Sequence, residues 1–286
     1  MEKTPAIQQG WLRALLYFIL AATTVYLLSY LLRNFLSAPF LSNSQENELM
    51  SLIITYFIWS VVLIGLAFLF RKVIDKNTFY SLGFQWKGYS SHAATGFFLG
   101  ILLLTAGSLI LVLLQFIFFT SVNLQLPHLL VSLTFFILVA FTEEIAFRGY
   151  ILNNLMQSMN KWWALALSSF AFGIVHISNP SANYLPIFNI FVAGFLLGIN
   201  YIYTKNLWFA IALHFSWNFF QGPILGYEVS GFSSATLLEQ TQKGPEILTG
   251  GNFGFEGSIL CLALSALAIF LLSIYYSKQQ YTSVEI

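Results

Sequence analysis

Long apolar runs separated by short polar connections dominate the chain. A transmembrane helix needs about 20 mostly apolar residues, and residues 11–32, 49–70, 93–119, 184–203 and 258–276 meet that requirement without interruption. Three further runs are apolar but broken by polar groups: 129–158 (Glu143, Glu144, Arg148), 161–177 (His176) and 206–221 (His214, Asn218). The pattern predicts an all-α fold, a polytopic transmembrane helix bundle of about eight spans, with residues 1–286 forming a single integral-membrane domain. The interrupted spans are consecutive apart from one clean helix, which gathers the polar groups into one half of the bundle.

Composition strengthens this reading. The 286 residues are 58% hydrophobic, 18% aromatic and 8% charged, against roughly 25% charged in a soluble domain. So little charge cannot coat a soluble protein of this length. The net charge of +1 leaves no nucleic-acid footprint. Cys261 is the single cysteine; it excludes an intrachain disulfide and reads as packing inside an apolar run. The stretch 11–32 exceeds a secretory h-region of about 7–15 residues and reads as a retained span.

Charge placement orients the bundle. The connection 71–91 carries Arg71, Lys72, Lys76 and Lys87, and basic residues favour the cytoplasmic side. With eight spans, both termini are then expected in the cytoplasm of a cell-membrane, multi-pass protein. Lys3, Arg13, Lys161, Lys205 and Lys278 fall on that side, and Arg33 and Lys243 on the other. The Gly-rich connection from Gly222 to Gly257 reads as a partly ordered outer loop or cap. His92, in the cytoplasmic connection, and His128, at the outer end of the fourth span, read as interfacial, and the tryptophans 162, 163, 208 and 217 as belt and packing.

The candidate chemistry lies where charge meets hydrocarbon. An ionisable residue at membrane depth is costly and marks a functional site by default. On a helix, residues i and i+4 share a face while i and i+1 diverge by about 100°. Glu144 is therefore set to pair with Arg148, leaving Glu143 for a cavity. His176 ends the next run. If 143–176 is a helical hairpin, its midpoint falls in Met156–Lys161, the best turn candidate, and Glu143 and His176 share a depth of about 25 Å from the inner end. This requires the helix to continue through Gly149. His214 and Asn218, again at i, i+4, can donate hydrogen bonds to a developing oxyanion. His214 is only about eight residues from its inner turn, so it should lie shallower than His176 unless its helix is offset. Asn189 is the further asparagine expected at the cavity, and Phe172 is expected in its wall.

One free carboxylate, two histidines and an asparagine make a water-activating site. Glu143 can act as general base with His176 fixing the water, and His214 and Asn218 can stabilise the oxyanion. The same residues could instead hold zinc through His176, His214 and Glu143, lowering the pKa of a bound water to about 7. No HExxH pair is present, and the metal-free design is preferred. Asp75 is the only aspartate and no serine has an adjacent base, so aspartyl and serine chemistry fit poorly.

These residues form three motifs, Glu143-Glu144-Ile-Ala-Phe-Arg148, Phe172-Gly-Ile-Val-His176 and His214-Phe-Ser-Trp-Asn218. In this order they resemble the EExxxR, FxxxH and HxxxN/D motifs of the CPBP family, the CAAX proteases and bacteriocin-processing (Abi) proteins. Phe147-Arg-Gly149, Asn206–His214 and Ser81-Leu-Gly-Phe84 are similar to flanking family words, so the resemblance covers roughly residues 80–222. It implies an intramembrane endopeptidase acting on a membrane-associated protein or peptide. Glu143 would be the base, His176, His214 and Asn218 would complete the site, and Glu144 and Arg148 would support it. The family has been described as both glutamate-dependent and metal-dependent. Short connections read as bacterial, where the resemblance points to immunity or peptide processing rather than prenylated substrates. A non-catalytic immunity or peptide-binding protein is the alternative, and a transporter a weaker one, since no inverted repeat is visible.

Overall fold

The structure, a computed structural model, describes residues 4–36 and 45–282. Lys3 and the side chain of Arg33, both used in the charge reading, lie outside what is described. Eight principal helices form among these residues: α1 (Gly10–Leu36), α2 (Gln45–Leu69), α3 (Ser90–Leu113), α4 (Leu126–Glu144), α5 (Lys161–Val175), α6 (Tyr184–Gly198), α7 (Trp208–Phe219) and α8 (Ile259–Thr282). π-helical turns extend α2 (Phe70–Ile74), α4 (Ile145–Leu152) and α7 (Phe220–Ile224). The only sheet among the described residues is a ribbon of β1 (Ile117–Val122) antiparallel to β2 (Leu238–Gln242). The fold is thus an all-α polytopic bundle.

The span count differs from expectation. Among the described residues, six helical stretches are long and apolar enough to cross a membrane, not about eight. The two that fall short are α5, with 15 residues, and α7, with 12. The first stops at His176, where Asn179 and Pro180 belong to the following turn. The second starts late because its lead-in is buried: Asn206 and Leu207 are inside the protein, with Asn206 Nδ2 donating to the Gln85 carbonyl and Leu207 N–H to that of Gly83. The third apolar run also ends early. Gln115 takes φ +59°, and the chain turns from α3 into β1 instead of continuing to residue 119.

In lipid, helices are not driven together by burying apolar surface, so close packing through small residues matters more. Gly96 and Gly100 on α3 lie directly against Phe209, Leu213 and Ser216 of α7, where an added Cβ would overlap. Gly194 on α6 lies in the same way against Ser169 of α5. These two seams hold the short helices α5 and α7 against long neighbours. Outside, side chains such as Tyr26, Phe57, Phe98 and Leu271 are exposed, the surface expected toward hydrocarbon.

A second polar cluster ties the bundle together at the end opposite the cap. Asp75 accepts from Arg13 Nη1 at 3.0 Å and Arg71 Nη1 at 2.8 Å, and from Tyr150 Oη at 3.2 Å. Arg13 also donates to Gln157 Oε1 at 2.6 Å. Arg71 and Asp75 are buried, rather than exposed in the polar connection as the sequence suggests. The cluster joins α1, the end of α2 and the extension of α4. Asp75→Asn leaves both guanidiniums without their carboxylate partner, and an unmet buried charge costs at least about 2 kcal/mol. A lowered unfolding temperature in detergent is the expected readout.

Candidate active site

The α4–α5 hairpin forms with its turn at Met156–Asn160, the segment expected from the sequence. The helix runs on through Gly149 as a π-helix, a form found often at functional sites. A Cβ at Gly149 would crowd Leu207 and Leu82, so its absence helps the buried lead-in of α7 fit beneath the site. His214 reaches the level of His176 although it is fewer residues from its turn, since both rings approach the same Glu143 oxygen.

The three groups converge on one carboxylate oxygen. Glu143 Oε2 is 4.0 Å from His176 Nε2 and 3.8 Å from His214 Nε2. Polar atoms at such separations are spanned by one water at hydrogen-bonding distance from each. Glu143 Oε1 accepts a 2.8 Å bond from Tyr56 Oη on α2, which fixes the carboxylate and leaves Oε2 for the histidines.

Both imidazoles are oriented from behind. His176 Nδ1 is 2.7 Å from the Phe172 carbonyl and His214 Nδ1 is 2.8 Å from Glu144 Oε1. A carbonyl and an ionised carboxylate only accept, so each Nδ1 carries a proton and each Nε2 is the ring atom turned to Glu143. Glu144 is fully buried and also takes Arg148 Nη1 at 2.7 Å. Arg148 donates its other nitrogen to the Gly194 carbonyl at 3.2 Å and stacks 4.4 Å over the Phe172 ring. The i, i+4 spacing thus separates the carboxylates as expected: Glu144 is tied to Arg148 and His214, while Glu143 faces the cavity. Asn218, one turn beyond His214, lines the same cavity.

The cavity holds about 1310 Å³. Apolar side chains of α1, α2 and α4, among them Tyr17, Ile53 and Phe135, form one wall. Phe172 lies in the wall as expected. His128 and Trp217 also line it, so neither is confined to an interfacial role. His92 Nδ1 accepts from Asn200 Nδ2 at 2.9 Å and the ring stacks on Tyr276, which makes it a helix clasp.

The Gly222–Gly257 connection is an ordered cap. Tyr227 Oη is 3.0 Å from Ser108 Oγ, and Phe255 packs against Gly107 of α3. Gly254, at φ +101°, lies against the Glu228 carbonyl where no side chain would fit, and this turn brings Glu256 to the cavity. Glu256 is buried, and its Oε1 accepts from the Ser230 N–H and hydroxyl. Burial pushes its carboxyl above the ordinary value, against the pull of Ser230 and of His176 and His214. Asn189 lines the cavity, as expected, with Nδ2 donating at 2.8 Å to the carbonyls of both Glu256 and Ser258. Sequence reasoning assigns no role to Tyr56 or Glu256. Neither stands in a motif: Tyr56 lies 87 positions before Glu143, and Glu256 sits in a loop whose fold no local pattern announces.

A tetrahedral zinc with bonds of about 2.0–2.1 Å spaces its ligand atoms about 3.3 Å apart. The separations of 3.8 and 4.0 Å at Glu143 are wider, and no group of three or more His, Cys, Asp or Glu among the described residues is arranged to hold a metal. As placed, His176, His214 and Glu143 do not fit a zinc ion.

Fold and site define a multi-pass membrane protein with a carboxylate–imidazole centre enclosed by its helices. Residues 125–220, about a third of the chain, match the model of a family described as Type II CAAX prenyl endopeptidase Rce1-like. All three motifs lie inside that match. The match supports intramembrane proteolysis as the general activity. No curated protein and no solved structure matches the chain significantly.

Proposed function

We propose that this protein is an endopeptidase that hydrolyses a peptide bond of a membrane-associated substrate with a water activated by Glu143. The observation that carries the reading is the convergence of Glu143 Oε2 with His176 Nε2 and His214 Nε2 at 4.0 and 3.8 Å. A water among these atoms gives one O–H to the carboxylate and the other to an imidazole lone pair, so its oxygen is free to attack. Glu143 takes the proton as attack proceeds and passes it to the leaving amine. Asn218 donates to the oxyanion, and Glu144 holds the His214 ring so that its Nε2 stays on the water. Glu144 and Arg148 are positioning residues.

The test is cleavage of a membrane-peptide library by purified protein in proteoliposomes, with and without a chelator, in water enriched in heavy oxygen. Cleavage that survives chelation and puts one heavy oxygen into the new carboxyl terminus supports the reading. Loss under chelation with recovery on adding zinc overturns the water-activation step, and no cleavage of any peptide favours a non-catalytic binding protein. In this reaction Tyr56 is a positioning residue. Hydrogen bonds to charged groups contribute about 1.5–3 kcal/mol, so Tyr56→Phe is expected to lower kcat at least about tenfold with KM little changed.

A further inference from the structure

The cavity contains an acceptor-rich corner that water activation does not use. Among the described residues lining it, Glu143 and Glu256 are carboxylates and none is Lys or Arg. Glu256 is 7% exposed. Its Oε1 takes both bonds from Ser230, while Oε2 has no protein partner and is not sealed off from the cavity. Beside it, Asn189 Oδ1 is buried without a partner. The orientation of that amide is fixed, because its Nδ2 faces two carbonyl oxygens, so the unmet atom is the acceptor. Asn189 Oδ1 is sealed from the cavity, whereas a carboxylate oxygen open to the cavity without a donor asks for a ligand that carries positive charge and several N–H donors. An ammonium has three and a guanidinium five. A buried carboxylate is stabilised by such a partner and costly without one.

We infer that Glu256, its backbone held by Asn189, forms a subsite that binds a cationic group of the substrate, the ammonium or guanidinium of a basic residue within an otherwise apolar peptide segment. The apolar wall formed by α1, α2 and α4 receives the rest of the segment. The inference rests on the reading of the cavity as a peptide site, and it adds a preference that the three motifs do not contain. A carboxylate would be repelled from the same corner.

Because binding is measured without cleavage, failure of this subsite and failure of the protease reading are separable. Dodecylammonium, dodecanol and dodecanoate are titrated onto the protein in lipid nanodiscs. The readouts are the unfolding midpoint and the fluorescence of the cavity residues Trp59 and Trp217. Dodecylammonium is expected to half-saturate the wild type at a concentration at least tenfold below dodecanol, with dodecanoate weakest. Glu256→Gln is expected to erase the difference between ammonium and alcohol, while Glu143→Gln keeps it. Equal binding of ammonium and alcohol by the wild type overturns the inference, as does a preference that survives Glu256→Gln or disappears only in Glu143→Gln. Should the glutamine variant not fold, Glu256→Asp, which keeps the charge on a shorter arm, is expected to weaken the preference severalfold; an unchanged preference in that variant also overturns it.

Discussion

Replacing Glu143 with glutamine is expected to lower kcat for peptide hydrolysis by two to four orders of magnitude, the range that a positioned general base contributes. The amide keeps the size of the side chain and can still accept from Tyr56, which holds Oε1 at 2.8 Å. It cannot take a proton from water. Folding should be nearly unaffected, because the Glu143 side chain is 18% exposed and carries no buried cation of its own. Turnover of a cleavable peptide, measured beside the unfolding midpoint of the same preparation, separates chemistry from stability. A variant with intact folding and near-wild-type turnover would remove Glu143 from the mechanism.

The same substitution also tests the division of labour between neighbours in sequence. Adjacent carboxylates on a helix point in different directions, and here the difference decides their chemistry. Glu144 meets Arg148 and the back of His214, so its charge is committed to holding other groups. Glu143 turns toward the cavity, where its Oε2 has only imidazole lone pairs opposite. A water placed between these atoms gives one O–H to Glu143 Oε2 and the other to one imidazole, which leaves its oxygen lone pairs directed at the substrate.

The placement of these residues was legible because it depends on helical arithmetic. Spacing at i, i+4 pairs Glu144 with Arg148 and His214 with Asn218, and the midpoint of 143–176 finds the hairpin turn. The level of His214 was not legible, since its helix is preceded by a lead-in, Asn206 and Leu207, buried against Leu82 and Gly83 from a distant connection. The same burial explains why two expected spans fall short of membrane length: hydropathy registers apolar stretches but not the turns that cut them at His176 and Leu207. Tyr56 and Glu256 reach the site only through the packing of α2 and the cap. A tyrosine within an apolar span and a glutamate in a Gly-rich loop are ordinary until the tertiary fold places them. The cluster around Asp75 was hidden for the opposite reason. Its charges look like a solvated connection, yet they are buried where α1, α2 and the extension of α4 meet.

Removing the Arg148 guanidinium is expected to damage the fold far more than neutralising Glu143. Arg148→Ala leaves Glu144, with 0% side-chain exposure, facing a vacated space, and one of its oxygens already lacks a partner. Breaking a buried ion pair from one side costs about 3–5 kcal/mol. The Gly194 carbonyl loses its donor and the Phe172 ring its stacked cation, so α4, α5 and α6 all lose a shared contact. The expected result is a sharply reduced folded yield in detergent and a lowered unfolding midpoint, set against near-normal values for Glu143→Gln. The double change Arg148→Met with Glu144→Gln removes both charges together and should recover much of the stability, because no unpaired charge remains. It should not recover activity, since the glutamine offers His214 a neutral acceptor in place of a carboxylate. Equal yields for Arg148→Ala and Glu143→Gln would contradict the assignment of Arg148 to structure and of Glu143 to chemistry.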